Sequence, residues 1–479
     1  MKEKIPALSS PEPESPRPQA PISPDKPEWL RERVKRHVSE LVRLAGPVIL
    51  SRAGILLIST ADLMMLGRIS TQATAFYAQA LIPFIVLMVT GIGLMFGTLV
   101  ASSHAFGRGD LKECGAIWQR SLLWALLVGL AMTAPGFWAE DFFLVARIEP
   151  ELAHGAGRTA LILSLGIIPT LMYSTSAFFL ESLKRPVWVM AAIYFANAVN
   201  LGLNFVLIDG GWDMLETPSD GAALAATIGR FAMGIGLVAF VWFMPDRDTF
   251  GIREKLTGGW WRGSREQRRY GYASGASYGL ETAAFGVMNL FAGWLGIKAA
   301  AVYGLGMNLT ALMFMLSLGL ASATSVRVGI AHGRQDWPDR ALAGWVGVGV
   351  TIVFMLGFTL LLSLAPEATV RLYTQDPELI ALSLPVFVLI AWLIVADGTQ
   401  ICLSNSIRAA ADPWSPTYLN FASFFLVMIP AGYLLGIVQE RGVVGLYEGI
   451  IIGTIASVVF LGARWVWLCR RASRLYGHG

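Results

Sequence analysis

The chain has 479 residues, of which 55% are hydrophobic and 15% charged, with a net charge of +4 and a mean hydropathy of +0.57. Soluble domains carry about 25% charged residues, so this composition excludes a soluble multidomain enzyme, and no nucleic-acid partner is expected. The three cysteines, Cys114, Cys402 and Cys469, are too widely spaced for a disulfide framework or a zinc site.

Residues 1–36 read as a disordered tail, because their Pro-, Ser- and Glu-rich start lacks the apolar surface needed to order itself. That tail has no apolar core with a cleavage site, so it is not a signal peptide. Apolar segments long enough to span a bilayer follow at 41–66, 77–103, 116–139, 155–180, 187–208 and 221–244. A basic connection at 245–270 separates them from a second set at 271–295, 303–331, 341–364, 378–404, 413–437 and 442–468. The expected fold is therefore an all-α integral membrane protein of twelve helices, with an N-lobe at 37–244 and a C-lobe at 271–479.

Two stretches argue that the lobes are copies. Residues 77–110, YAQALIPFIVLMVTGIGLMFGTLVASSHAFGRGD, align without a gap on 303–336, YGLGMNLTALMFMLSLGLASATSVRVGIAHGRQD. The pairs Tyr77/Tyr303, Gly93/Gly319, Thr98/Thr324, Gly107/Gly333, Arg108/Arg334 and Asp110/Asp336 are identical. Six helices per lobe is an even number, so both lobes run the same way and a pseudo-two-fold axis along the membrane normal relates them. Membrane chains built from such repeats place substrate sites between the copies and work by alternating access.

Basic residues concentrate in alternate connections, among them Arg108, Lys112, Lys184, Arg185, Arg253, Arg268, Arg334 and Arg408. That set faces the cytoplasm by the positive-inside rule, together with both termini. The opposite side carries Asp209, Asp213, Glu216 and Asp220 in one connection. Tyr77 and Tyr303, at helix starts on that side, read as aromatic-belt residues.

Ionisable groups inside a membrane cost at least about 2.5–3.5 kcal/mol on insertion scales and mark function by default. Here they are Asp62, Glu281 and Asp397, with Arg52 and Arg230 nearer the basic side. At about 1.5 Å per residue, Asp62, Asn204 and Thr227 lie about 8–10 Å below the outer surface, with Asn200 one turn deeper than Asn204. Four oxygen-bearing side chains at one depth suit Na⁺, and a desolvated carboxylate suits a proton. The two Asn and the Thr serve equally well as helix-to-helix hydrogen bonds. Glu281 and Asp397 share a depth of about 15–16 Å from the inner surface, where they suit a cation, a proton or a cationic substrate. Arg52 reads as a partner for an acid or a snorkelling group, and Arg230 as structural. His104 and His332, near the inner ends of equivalent helices, read as polar contacts. No His/Asp cluster, G-x-S-x-G or Walker A motif is present, so neither enzymatic chemistry nor ATP hydrolysis is expected.

These residues resemble the multidrug and toxic compound extrusion (MATE) family, in its NorM-like branch. The resemblance is carried in order by Pro47 with STADLMMLG, AFGRGD, FLESLKRPVW, NLGLNFVLIDG, GAALAAT, ASYGLETAAF, SLGLASATSVRVGIAHG and DGTQICLSNSIRAAADP. It covers roughly residues 40 to 465. The resemblance implies export of amphipathic organic cations in exchange for Na⁺ or H⁺, with no cofactor. It implies a first-lobe cation site at Asp62, Asn200, Asn204 and Thr227 and a second-lobe acidic site at Glu281 and Asp397. A multi-pass protein of the plasma (inner) membrane is expected, working as a monomer because one chain holds both lobes. Arg52, Leu393 and Asp412-Pro413-Trp414 depart from the family pattern. A lipid-linked oligosaccharide flippase of related fold is the alternative, disfavoured because the intramembrane charges are mainly acidic.

Overall fold

The structure is a computed structural model that describes the backbone of residues 27–208, 215–256 and 259–476. The first 26 residues of the tail, and Asp209 and Asp213, lie outside the described residues. Among the described residues there is no strand.

The principal helices are α1 (Pro27–Ile69), α2 (Thr71–Arg108), α3 (Leu111–Val145), α4 (Pro150–Ser182), α5 (Val187–Leu207) and α6 (Pro218–Phe243) in the first half. The second half has α7 (Arg265–Trp294), α8 (Ile297–Gly333), α9 (Trp337–Leu364), α10 (Pro377–Ala409), α11 (Ser415–Val438) and α12 (Gly442–Tyr476). Every predicted segment coincides with one of them. Eleven of these helices are long and apolar enough to cross a membrane. The exception is α7. Its 30 residues are long enough, but its first turns are polar (REQRRYGYASGAS). One face of those turns is buried, with Gln267, Arg268, Ser274 and Ser277 covered, while Arg265, Glu266 and Arg269 stay exposed.

Irregularities fall where the sequence breaks the backbone ladder. In α3 a short 3₁₀ segment, Ala134–Trp138, forms at Pro135. In α4 the chain turns at Gly166 between two helical halves. α11 carries two π segments, Ala422–Met428 and Leu434–Val438, which widen the helix locally.

The duplicated turn is visible in the backbone. Asp110 and Asp336 cap the next helix by accepting from the amides of Glu113 and Asp339, at 3.2 and 3.1 Å. The residue before each Asp has positive φ, 79° at Gly109 and 60° at Gln335. A glycine meets this requirement without strain in one copy, whereas Gln335 adopts the same left-handed conformation in the other.

The apolar cores follow the two halves. One gathers residues from Ile58 to Ile252 together with Tyr270, Val326 and Ile330, and another gathers residues from Ala284 to Ile450. The second core also takes Leu41, Leu44 and Ala45 from α1. Thus the start of α1 packs with the C-lobe, although the sequence assigns the whole helix to the N-lobe. Residues 27–36, expected in the tail, are helical for the same reason: they are anchored across the lobe boundary. Arg33 reaches Asp336 at 2.7 Å and Asp339 at 3.0 Å. Arg36 and His37 meet Asp339 at 2.8 and 2.9 Å, and Arg327 donates to His37 at 2.8 Å and pairs with Glu40.

The lobes meet closely at the basic ends of the helices. A Cβ on Gly97 would lie 1.8 Å from the Gln267 carbonyl oxygen, and one on Gly107 would lie 2.3 Å from that of Ile330. Only glycine lets α2 press its backbone against α7 and α8 at these crossings. His104 and His332 stack across the boundary with ring centroids 4.7 Å apart, and His104 also meets the Ala409 carbonyl at 2.8 Å. These cross-lobe contacts run from Thr90 beside Gly279 to the basic end. The lobes are therefore closed together at the basic end.

Candidate ion and substrate sites

The first site forms where α1, α2 and α5 converge. Asp62 is fully buried and accepts three hydrogen bonds. Tyr77 Oη donates to Asp62 Oδ2 at 2.5 Å, while Asn200 Nδ2 and Asn204 Nδ2 donate to Oδ1 at 3.0 and 2.7 Å. The two Asn are one turn apart on α5, so a single helix face delivers both donors. Charge-assisted bonds of this kind are about twice as strong as neutral ones, and they fix the carboxylate in place. Asn204 Oδ1 remains buried without a partner. A pocket of about 440 Å³, lined by Met64, Arg68, Leu201, Phe205 and Asn204, reaches this atom's residue from the far end of the helices.

Three of the four predicted N-lobe residues thus come together, with Asn200 and Asn204 both bonded to Asp62. Thr227 instead donates to the Ile162 carbonyl at 2.9 Å, joining α6 to α4. Tyr77 is not a belt residue. It is 0% exposed because the stripe Phe76, Tyr77, Ala80 and Phe84 packs into the N-lobe core. Its repeat mate Tyr303 is likewise buried and donates to the Phe285 carbonyl at 3.0 Å. The stripe was the available signal, since a belt tyrosine has no need of buried neighbours along its helix face.

The second site is built differently. Glu281 on α7 and Asp397 on α10 are 7% and 6% exposed, and each is close enough to influence the other electrostatically. Neither carboxylate receives a hydrogen bond from the protein among the described residues. Arg408, fully buried at the end of α10, acts on Glu281 electrostatically but donates its Nη1 to Asn405 Oδ1 at 2.9 Å. One site therefore has a carboxylate whose oxygens are filled, and the other has two carboxylates with room for a ligand's positive charge. Leu393, one turn from Asp397, is buried and supplies no polar atom.

Arg52 has the acid partner that one reading gave it. Its Nη2 reaches both oxygens of Glu181 at 2.9 and 3.2 Å, with each side chain 2% exposed. Glu181 escaped notice because it lies near a basic turn, yet FFLESL places it as the lone charge in an apolar run. Removing either member of such a pair costs about 3–5 kcal/mol, so its role is to hold α1 on α4. Asp220, expected in an exposed acidic connection, is buried and pairs with Arg158 at 3.1 Å. A cavity of about 860 Å³ lies between α2, α3 and α4 around Pro83, Trp138 and Phe142, and no charged side chain lines it. Cys114, Cys402 and Cys469 are free.

The sequence profile of the MatE family matches residues 47–206 and 274–434, one block in each lobe. The "Probable multidrug resistance protein NorM" of Caulobacter vibrioides is 34% identical over 94% of this chain and 96% of its own length. The chain belongs to the MatE family. The fold agrees with that of other MATE proteins. The eukaryotic MATE transporter AtDTX14 superposes with a TM-score of 0.83 at 18% identity, covering 92% of this chain and 99% of its own. An outward-facing multidrug resistance MATE family transporter of the MOP superfamily also gives 0.83 at 18% identity, over 93% and 98% of the two chains. As a MatE member, this chain is a multi-pass membrane transporter and not an enzyme. Family membership also sets aside the flippase alternative.

Proposed function

We propose that this protein is a multidrug efflux antiporter that exports amphipathic organic cations in exchange for Na⁺ or H⁺. The observation that carries this reading is the Glu281–Asp397 pair, two nearly buried carboxylates without a protein donor. Groups so placed are unfavourable unless a cation joins them. An organic cation meets that need, and its apolar body suits the surrounding membrane helices. Asp62, with Asn200, Asn204 and Tyr77, forms the coupling site, and Thr227 braces it from α6. Entry of the coupling ion lowers the carboxylates' hold on the departing cation. Each positive charge moving inward supplies about 2.3 kcal/mol per 100 mV.

In this reading the helices cross the inner membrane twelve times, α7 included, with the basic connections and both termini cytoplasmic. The closed basic end then leaves the lobes facing outward, and one chain suffices. The test is ethidium efflux from proteoliposomes with Na⁺ and pH gradients imposed separately. The expected result is uphill movement with at least one gradient and none without. Equal ethidium flux under all conditions overturns the proposal.

A further inference from the structure

The N-lobe site contains a cation of its own. Arg230 lies on α6, one turn beyond Thr227, and is 4% exposed. Its guanidinium stacks 4.7 Å over the Phe84 ring, and its Nη1 is buried without a hydrogen-bonding partner. Asp62 and Tyr77 are the groups that act on it electrostatically. The chain turn at Gly166 makes room for it, since a Cβ there would lie 2.9 Å from Arg230 Cδ.

Packing does not account for this residue. The same buried face of α6 carries Met233, Leu237 and Val241, and an apolar side chain would continue that stripe. Nor is it a conventional ion pair. Arg52 bonds Glu181 directly, whereas the oxygens of Asp62 are already taken by Tyr77, Asn200 and Asn204. Arg230 therefore balances Asp62 through space, with an N–H left unfilled.

We propose that Arg230 is the resident counter-cation of the Asp62 site and decides which ions that site accepts. With its guanidinium in place the site excludes Na⁺, and any Na⁺ held by the protein sits at the Glu281–Asp397 pair. This rests on the antiport reading and narrows it. A hard cation needs a carboxylate's field together with several oxygen ligands. Here the field is met by a fixed charge that an arginine does not lose. Tyr77, Asn200 and Asn204 present O–H and N–H donors to Asp62 and so fill its oxygens against a metal ion. A fixed arginine beside a permeation site is a known physical means of excluding cations.

The test is equilibrium binding of radiolabelled Na⁺ to purified full-length protein, with choline keeping ionic strength constant. Wild-type binding is expected to be unchanged in Asp62→Asn and lost in Asp397→Asn. Arg230→Gln is expected to lower the half-saturating Na⁺ concentration at least tenfold, an effect reversed by adding Asp62→Asn and absent in Arg230→Lys. Loss of wild-type Na⁺ binding in Asp62→Asn overturns the proposal, as does an Arg230→Gln protein that binds no more Na⁺ than wild type. Should Arg230→Gln fail to fold, the Asp62→Asn comparison decides alone: unchanged binding supports the assignment and loss overturns it. Binding in detergent is read without transport, so failure here is distinct from failure of gradient-driven efflux.

Discussion

Replacing Asp62 with Asn is expected to abolish coupled efflux while leaving the fold intact. Asn keeps the shape of the side chain, and its oxygen still accepts from Asn200 and Asn204 on the Oδ1 side. Tyr77, which donates to Oδ2, would turn its hydroxyl to accept from the new amide. Hydrogen bonds to a charged group contribute about 1.5–3 kcal/mol and neutral ones about 0.5–1.5. That loss is only partly offset by no longer burying the Asp62 charge, because Arg230 then loses its counter-charge. The unfolding temperature of the purified variant should therefore fall by several degrees while the protein still folds. The negative charge itself has no substitute, because no other carboxylate lies within this hydrogen-bonded cluster. Ethidium efflux should fall to the rate of protein-free vesicles. A variant that exports at the wild-type rate removes Asp62 from the mechanism.

The second large effect is expected at the other carboxylates. Glu281→Gln or Asp397→Asn should weaken binding of a monovalent organic cation by about 2–5 kcal/mol, the usual range for losing one partner of a buried charge pair. That corresponds to about 30-fold or more in Kd. Stability should not fall, because two like charges held at low dielectric repel and neither has a protein donor to lose. An uncharged ligand of the same shape is the control, and its affinity should be unchanged in both variants. Equal losses for the charged and uncharged ligands would assign the pair to packing rather than charge recognition. Fluorescence titration of purified protein measures both.

Much of the fold was legible because apolar length is a strong signal and each predicted span meets a helix. The polar start of α7 shows where that signal ends. A helix buried against another helix need not be apolar, so hydropathy alone under-reads it. The extra turns of α1 were missed for a related reason. Arg33, Arg36 and His37 look like a solvated tail until Asp336 and Asp339 are brought to them from the far half of the sequence. Within the N-lobe, depth counting grouped Asp62, Asn200 and Asn204, which the structure brings together, because all three are polar residues in apolar surroundings. It passed over Tyr77, since a tyrosine at a helix start fits a lipid interface as readily as a buried hydrogen bond. Helix depth also grouped Thr227 with the others, whereas rotation about α6 directs its hydroxyl to the Ile162 carbonyl. Azimuth between helices is a property of packing, and one sequence specifies it only weakly.

The central claim is that the coupling ion and the organic cation compete for the protein. It is tested most directly by equilibrium binding of a fluorescent organic cation to the purified protein, titrated with Na⁺ against choline and separately with protons. The account predicts that the apparent Kd of the organic cation rises with the concentration of at least one of these ions, that Asp62→Asn removes a proton dependence, and that Asp397→Asn removes a Na⁺ dependence. An organic-cation affinity that stays constant across both titrations would contradict it.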